Sequence, residues 1–242
     1  MLPTVRISDI ALLMRCPRLI YFQPMESRTP DPSRLLIRGL MFGISGTEGD
    51  ELGAKDELKA KLEKLSQEIL IIYRGQVGPQ EISAAIHEME PILPELSRFI
   101  SSSADLLLPS DVEVDLRSKR LGLSGRLDRL VAGSIPSIIR MGTAPENGAW
   151  KADRLRLAGY AIILEEMLDK RIEYGLAEYP RSGVIRKVPI HSIDKSRVLR
   201  ARDSILKIKE GWLPDRPGQV DCQRCPALER CESKCSLMSK LF

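Results

Sequence analysis

The stretch Cys222-Gln-Arg-Cys225-Pro-Ala-Leu-Glu-Arg-Cys231-Glu-Ser-Lys-Cys235 lies close to the C-terminus and holds four of the chain's five cysteines. The fifth, Cys16, lies near the opposite end of the chain. Two cysteines separated by a tight turn can direct both thiolates at one metal ion. The economical prediction is one soft-metal centre that joins the first segment to the last. Such a centre requires the fold to bring the two ends of the chain together.

The spacing alone leaves the metal and its fourth ligand open. Cys222, Cys225 and Cys231 supply three ligands from one compact loop, and the fourth is either Cys235 or Cys16. Zinc accepts the local set of four cysteines, whereas an iron-sulfur cluster is also satisfied by three local ligands and a distant one. An odd number of thiols argues against a disulfide framework, so metal or cluster ligation is the better default.

Length and composition describe an ordinary globular protein. The chain has 242 residues, of which 43% are apolar and 29% are charged, and this length admits one elaborated domain or two small ones. No apolar run approaches the length of a bilayer span, and the first residues lack the order of a signal peptide, so we expect a cytoplasmic protein with no membrane partner. The formal charge of +4 permits a nucleic-acid partner only if the arginines cluster on one face.

The hydrophobic pattern is helical at first, turns extended near residue 111 and then alternates. An N-cap at Ser8 is expected to start the first helix, and Pro91 and Pro94 are expected to break a later one. We predict helices within 6–22, 35–70 and 81–103, a hairpin over 111–131, a buried strand over 136–141, a helix over 152–169, a hairpin over 173–190 and a basic helix over 195–210. The organisation predicted from this order is a helical region at 1–105, a core at 106–212 and a cysteine segment at 213–242, all in one integrated unit.

Several short motifs occur in an order that covers nearly the whole chain. They are Cys16-Pro17-Arg18 with Tyr21 nearby, a hairpin that ends in Gly125-Arg-Leu-Asp128, a helix with Tyr160, strands with Tyr174-Gly and Arg186, and Pro214 before the cysteines. In this order the chain resembles the CRISPR-associated RecB-like exonuclease family. The resemblance implies an α/β PD-(D/E)XK nuclease core, in which helices flank a mixed sheet, with an N-terminal helical region and a C-terminal iron-sulfur clasp.

The resemblance also implies a cofactor and its ligands. Members of this family hold a [4Fe-4S] cluster with one cysteine before the nuclease core and three after it. By position these ligands are Cys16, Cys222, Cys225 and Cys231, while Cys235 lies outside the pattern and is a possible substitute. Zinc is the alternative metal.

The active-site positions implied by the same resemblance are mostly substituted. The fold cleaves DNA with Mg²⁺ or Mn²⁺ held by carboxylates, often with a His, beside a Lys that activates water. Asp128 matches one carboxylate, but Gly43 stands where a His is expected, Ile138 where the second carboxylate is expected, Arg140 where the Lys is expected and Arg156 where a Gln is expected. Arginine stays protonated and cannot serve as a base. We therefore expect a disabled centre that holds no Mg²⁺ or Mn²⁺.

The preferred hypothesis is an iron-sulfur pseudoenzyme that binds DNA or a protein partner within a larger assembly. By resemblance, that partner is the CRISPR adaptation machinery. Arg140 and Arg156 either bind phosphate in the cleft where the family has its active site, or pair with Asp128. The candidates for nucleic-acid contact are Arg126, Arg140, Arg156, Arg186, Arg197 and Arg200.

Two alternatives belong to different classes. In the first, the chain is an active exonuclease whose metal ligands come from unexpected positions, such as Glu48, Asp50 or Glu146. In the second, it is a structural subunit with no affinity for nucleic acid, and the cluster only holds the termini together.

Overall fold

The computed structural model describes residues 4–22, 30–44, 51–218, 222, 223 and 225–232, with the backbone alone for 51–57. Within these ranges the chain is an α/β protein in which helices flank one mixed six-stranded sheet, as predicted at this level. The elements are β1 Val5–Arg6, α1 Ile7–Arg15, α2 Arg18–Tyr21, α3 Pro32–Phe42, α4 Glu51–Ile72, α5 Pro79–Met89, α6 Leu93–Leu107, β2 Ser110–Ser118, β3 Leu123–Val131, β4 Ile135–Ile139, α7 Lys151–Leu168, β5 Tyr174–Tyr179, β6 Val184–Pro189 and α8 Ser192–Lys209.

Strand β3 organises the sheet. The antiparallel hairpin with β2 runs along one edge of β3, from Ser110 opposite Val131 to Ser118 opposite Leu123. Two strands share its other edge: β1 pairs in parallel at its start, and β4 pairs antiparallel at its end. The sheet continues from β4 through a parallel β5 to an antiparallel β6. Among the described residues, the middle of this edge of β3, between β1 and β4, has no strand partner.

Each face of the sheet packs against its own set of helices. Helices α1, α7 and α8 cover one face with a core that includes Ile7, Leu127, Ile138, Leu155, Ile163 and Ile205. Helices α3 to α6 cover the other face with a core that includes Leu36, Leu62, Met89, Leu96, Val131 and Leu176. Each fully buried aliphatic side chain of this kind contributes about 1.5–3 kcal/mol relative to exposure, so these two cores fix the relative positions of the sheet and its helices.

The pleat of the central hairpin changes face at Asp128. Leu127 packs in the first core and Val131 in the second, although an even spacing of four residues normally keeps side chains on one face. The paired register passes from Val112 opposite Arg129 to Val114 opposite Leu127 without Glu113 and Asp128. Glu113 has a φ of 54°, a left-handed conformation that is uncommon for a residue with a side chain. Asp128 is buried at this irregular point of the central strand.

Several element boundaries differ from the sequence-based expectations. The first helix begins at Ile7 with Arg6 as its N-cap, so the predicted cap at Ser8 was wrong. A break does occur near Pro91, in a short 3₁₀ turn, whereas Pro94 lies in the first turn of α6, where proline is tolerated. Strand β1 was not predicted, because two residues are too short to show a periodicity. Part of the predicted helical stretch 35–70, residues 45–50, lies outside the described residues.

None of the described helices is both long enough and apolar enough to span a membrane.

Candidate functional site

A cavity of about 750 Å³ opens beside the unpaired middle of β3. The paired register of β3 and β4 reaches Arg129 opposite Ser137 and goes no further toward the cavity. Residues of α1, α3, β2, β3 and α7 line the space. Its described lining includes five arginines, Arg6, Arg38, Arg117, Arg126 and Arg156, and three carboxylates, Glu113, Asp115 and Asp128. These described side chains carry an excess of two positive charges, which favours an anionic ligand.

Asp128 lies at the inner end of this cavity, 6% exposed. Its Oδ2 accepts a hydrogen bond of 2.9 Å from the backbone N–H of Ile139. This side-chain bond lies just where the pairing of β3 with β4 ends. Its Oδ1 lies 2.9 Å from Nη2 of Arg38 on α3. Both carboxylate oxygens are thus engaged by protein donors.

Arg38 links Asp128 to the rim of the cavity. Its Nη2 also lies 3.7 Å from Glu113, and Glu113 pairs in turn with Arg126 at 3.2 Å. The guanidinium of Arg38 is 5.0 Å from the centre of the Phe42 ring, a cation–π distance. Charges of alternating sign therefore run from the inner end of the cavity to its edge, with Arg38 at the centre.

Arg140 pairs with a different carboxylate from the one expected. Its Nε contacts Oδ1 of Asp153, a fully buried residue at the start of α7, without the alignment of a hydrogen bond. The hydroxyl of Tyr179 donates to the other oxygen of Asp153 at 2.8 Å. Burial lowers the pKa of Arg140, as does the nearby charge of Arg156, while Asp153 opposes both. Arg140 is thus tied into the base of α7, behind the cavity.

Two other substituted positions have structural roles. Ile138 is fully buried in the core under α7. Gly43 forms the C-cap of α3, where its N–H donates to the carbonyl of Gly39 at 3.0 Å. Neither residue is among the described residues that line the cavity. On α3 it is Arg38, and not Gly43, that contacts Asp128.

Tyr160 and Arg156, on adjacent turns of α7, form one wall of the cavity. The hydroxyl of Tyr160 donates to the carbonyl of Arg126 at 2.8 Å. A Cβ at Gly125 would lie 2.9 Å from the Tyr160 ring, so the glycine in the Gly125-Arg-Leu-Asp128 motif is required by this close approach. Burial raises the pKa of Tyr160, whereas the charge of Arg156 lowers it.

The predicted nucleic-acid contacts divide into two groups. Arg126 and Arg156 line the cavity, whereas Arg140, Arg186, Arg197 and Arg200 are not among its described lining residues. Arg186 donates to the backbone of Glu146, Arg197 pairs with Asp194, and Arg200 donates to Ser196 of its own helix.

Much of the basic helix α8 likewise serves packing. Lys195 pairs with Glu165 of α7, Lys209 with Asp9 of α1, and Arg202 donates to the carbonyl of Leu121.

Sequence reasoning missed Arg6, Arg38 and Arg117 as lining residues. Arg38 has no local signal, since nothing in its neighbouring sequence connects it with Asp128, ninety positions later. Arg117 has a local signal, because it alternates with Asp115 and Glu113 on the strand paired with the Asp128 strand.

The cysteines near both ends of the chain meet in a third, smaller cluster. Cys16, Leu19 and Phe22 are buried with Ala227, and the half-buried Cys225 and Cys231 lie against them. The backbone N–H of Cys225 donates to the carbonyl of Cys222 at 3.0 Å, which closes the tight turn expected of a Cys-x-x-Cys element.

Arginine donors lie beside two of the sulfurs. Arg18 donates to Sγ of Cys231 at 3.3 Å and to the carbonyl of Pro214 at 2.9 Å. A side-chain hydrogen bond with Cys222 raises the pKa of the exposed Arg216. A set of cysteine ligands with N–H donors around them suits zinc or an iron-sulfur cluster in kind.

The candidate metal ligands that the structure describes do not converge on one position. Among the described residues, no three His, Cys, Asp or Glu side chains converge closely enough to hold a metal ion, at the cysteines or at Asp128. Cys235, Glu48 and Asp50 lie outside the described residues.

Comparisons with known proteins give two sequence relatives, and no family model matches the chain. An uncharacterized protein of Archaeoglobus fulgidus is 25% identical over 98% of this chain and 99% of its own length. A CRISPR-associated exonuclease Cas4/endonuclease Cas1 fusion of Myxococcus xanthus is 29% identical over 37% of this chain, and the match spans only 19% of the fusion. Part of the chain is therefore distantly similar to a protein with a Cas4-type nuclease part.

Among solved structures, the crystal structure of SSO0001 aligns with 80% of this chain and 92% of its own, at 15% sequence identity and a TM-score of 0.38. A likeness this slight does not bear on the fold.

Proposed function

We propose that this protein is a RecB-like PD-(D/E)XK nuclease relative that binds nucleic acid in the arginine-lined cavity without cleaving it. The observation that carries the proposal is the state of Asp128, the retained carboxylate, whose oxygens are engaged by Arg38 and by the Ile139 N–H. A catalytic Mg²⁺ or Mn²⁺ needs anionic oxygen ligands, and an arginine already holds this one.

The neighbouring positions support the same reading. Ile138 supplies only apolar surface to a buried core, and Arg140 is tied to Asp153. Neither can replace the second carboxylate or the lysine of a working centre, since arginine does not release its proton near neutral pH. The order of the β-β-β-α-β elements from β2 to β5, with β4 and β5 parallel, agrees with the core that the resemblance implies.

The charge of the cavity lining supports the proposed binding of nucleic acid. The five arginines of the described lining exceed its three carboxylates, and phosphate contacts of this kind provide most of the affinity of non-specific nucleic-acid binding. The fusion of the similar relative to a Cas1 endonuclease agrees with a protein partner in a larger assembly for this chain as well.

The test is an incubation of purified protein with labelled single- and double-stranded DNA in the presence of Mn²⁺. We expect DNA binding that weakens steeply between about 50 and 200 mM salt, and no loss of full-length DNA. Degradation of DNA that Asp128→Ala abolishes would instead favour the second candidate, an active exonuclease, which the name of the Myxococcus xanthus relative keeps open. Absence of any DNA binding would leave the structural-subunit role.

The cysteine cluster belongs to the same proposal. We infer that Cys16, Cys222, Cys225 and Cys231 hold a [4Fe-4S] cluster, with zinc as the alternative. The packing of Cys16 with Cys225 and Cys231 supports this set, as do the arginine donors beside Cys231 and Cys222. A bound cluster would add its binding free energy to folding and hold the chain ends together.

Metal analysis of anaerobically purified protein tests the proposed cluster and its four cysteine ligands. We expect iron and acid-labile sulfide in the native protein and their loss in Cys16→Ser, with a lower thermal midpoint. Cys235→Ser is the matched control from the same tail and should keep the iron. A colourless protein that contains zinc would overturn the cluster assignment, and iron loss in Cys235→Ser alone would overturn the ligand set.

A further inference from the structure

We propose that Arg38 and Arg156 together bind a phosphate group of a single nucleic-acid strand at the inner end of the cavity. Guanidinium groups then stand where a nuclease of this type would place metal ions. This inference rests on the proposed nucleic-acid binding and names the atoms that carry it. It concerns the pair of arginines and not the cavity as a whole.

Arg38 is held in place by ion pairs that use only part of its N–H donors. Asp128 and Glu113 both contact the same nitrogen, Nη2, while the buried Nε donates to no group among the described residues. A guanidinium has five N–H donors in a rigid fork that matches two phosphate oxygens. Two carboxylates on one nitrogen fix the orientation of the fork and leave most of its donors for a ligand.

Arg156 faces the same space from α7. It lines the cavity beside Tyr160, with which it shares a side-chain hydrogen bond. Its Nε is also buried without a hydrogen-bond partner among the described residues. Three elements with well-packed cores, α3, β3 and α7, therefore bring two under-used guanidinium groups to one pocket.

The local charge favours an anion at this point. Arg140 lies behind Arg156, and the repulsion between them contributes to lowering the pKa of Arg140. A bound phosphate relieves this repulsion, whereas a divalent cation increases it. Asp128, which a cation would need, is already neutralised by Arg38.

The size of the cavity indicates a strand and not a duplex. Its volume of about 750 Å³ lies within the range of roughly 300–1,000 Å³ that is typical of small-ligand pockets. Tyr73 lines the same space and offers an aromatic face against which an unpaired base can stack. A single strand can present both groups at once, because its bases are not held in a helix.

The first experiment measures binding of a fluorescent single-stranded oligonucleotide by anisotropy, with EDTA present so that no metal takes part. We expect Arg38→Gln and Arg156→Gln each to weaken binding roughly ten-fold. We also expect each to reduce the slope of log affinity against log salt by about one. Arg34→Gln is the matched control, since Arg34 lies exposed on the same helix α3 and pairs with Asp31; it should bind like the native protein.

A second readout separates a phosphate site from general charge. Because Asp128 and Glu113 lose their guanidinium partner, Arg38→Gln should bind Mn²⁺ more tightly than the native protein in a calorimetric titration. Competition with inorganic phosphate, with a nucleoside monophosphate and with unlabelled oligonucleotide identifies the source of the phosphate, and we expect only the oligonucleotide to compete at micromolar concentration. Circular dichroism confirms that each variant is folded, and Arg38→Lys replaces Arg38→Gln if the latter is not.

The outcomes are distinct. If native protein binds the oligonucleotide but Arg38→Gln and Arg156→Gln bind as well as Arg34→Gln, the phosphate site is wrong while the proposed function stands. If the native protein binds no DNA at all, the proposed function fails and this inference with it. Stronger competition by the free monophosphate than by the oligonucleotide would overturn the choice of a strand as the ligand.

Discussion

Two adjacent residues of β3 take part in two arginine–carboxylate pairs that differ in almost every physical respect. Arg129 pairs with Glu178 at 3.2 Å, and both side chains are essentially inaccessible, at 1% and 0% exposure. Asp128 pairs with Arg38 at 2.9 Å, but the Arg38 side chain is 37% exposed and borders the cavity. The first pair lies inside the fold, and the second lies at a surface that a ligand can reach.

The difference lies in how fully each guanidinium is used. Arg129 donates to Glu178, to the hydroxyl of Ser110 and to the carbonyl of Met41, and Ser137 adds a hydrogen bond to Glu178 at 2.6 Å. These bonds connect α3, β2, β3, β4 and β5. A buried guanidinium that donates from all three nitrogens holds structure in place, whereas the partly used Arg38 is suited to binding.

Loss of Arg129 should have the largest effect on stability. Arg129→Ala leaves Glu178 buried without its charge partner, which costs about 3–5 kcal/mol. Urea unfolding followed by circular dichroism measures this loss, with the exposed Arg34→Ala as the control at about 0.5 kcal/mol or less. A cost for Arg129→Ala as small as that of the control would remove the contrast between the two pairs.

The close contact between Gly125 and Tyr160, which separates the cavity from the core, should give the second-largest effect on stability. In Gly125→Ala the new methyl group meets the Tyr160 ring at 2.9 Å and Ile7 at 3.3 Å, so we expect a loss of about 1–3 kcal/mol through overpacking. The same unfolding assay measures it. Gly142→Ala, where a Cβ meets nothing within 4 Å, controls for the glycine change itself, and equal losses at both positions would show that the close approach does not matter.

Arg38 should matter less for stability than for binding. Arg38→Ala removes a guanidinium that is 37% exposed, and Asp128 keeps its hydrogen bond from the Ile139 N–H beside the open cavity. We therefore expect a loss of about 1–2 kcal/mol, less than for a fully enclosed pair. A thermal melt measures the stability, to be compared with oligonucleotide affinity in the same preparation. A stability loss as large as that of Arg129→Ala would mean that Arg38 is a structural residue and not a ligand-binding one.

The smallest expected effect is a pH dependence of the unfolding free energy, which arises at the buried Arg129–Glu178 pair. Burial raises the pKa of Glu178 above its ordinary value of 4.5, although Arg129 and Ser137 lower it. At a pH between the two pKa values, the Glu178 carboxyl is protonated in the folded chain and ionised in the unfolded chain. The contribution of Glu178 to the unfolding free energy therefore grows as the pH falls through the folded-state pKa toward about 4.5. Unfolding free energies of native protein and Glu178→Gln, measured from about pH 7 downward, should diverge in favour of the native protein. A constant difference would contradict the raised pKa.

The central part of the fold could be predicted from local sequence signals. The hydrophobic pattern sufficed for the hairpin over 111–131 and for the helix over 152–169, because a pleat and a helical face both show in the spacing of apolar residues. Strand β1 lacked such a signal, since its two residues pair with Leu123 and Ser124, more than a hundred positions away.

The site was predictable only in part, and for the same physical reason. The Gly125-Arg-Leu-Asp128 motif located the carboxylate, but the contact of Asp128 with Arg38 depends on how α3 packs against the sheet. Similarly, Arg140 was expected to bind phosphate or to pair with Asp128, whereas its ion pair is with Asp153 in the first turn of α7. Long-range ion pairs leave no periodic trace in a sequence.

The most direct test is a crystal structure of the native protein with Mn²⁺ and a short single-stranded oligonucleotide. The account predicts a phosphate between Arg38 and Arg156, an intact Arg38–Asp128 pair and no Mn²⁺ at Asp128. A manganese ion coordinated by Asp128, with Arg38 displaced, would contradict it and make the cavity a working metal centre.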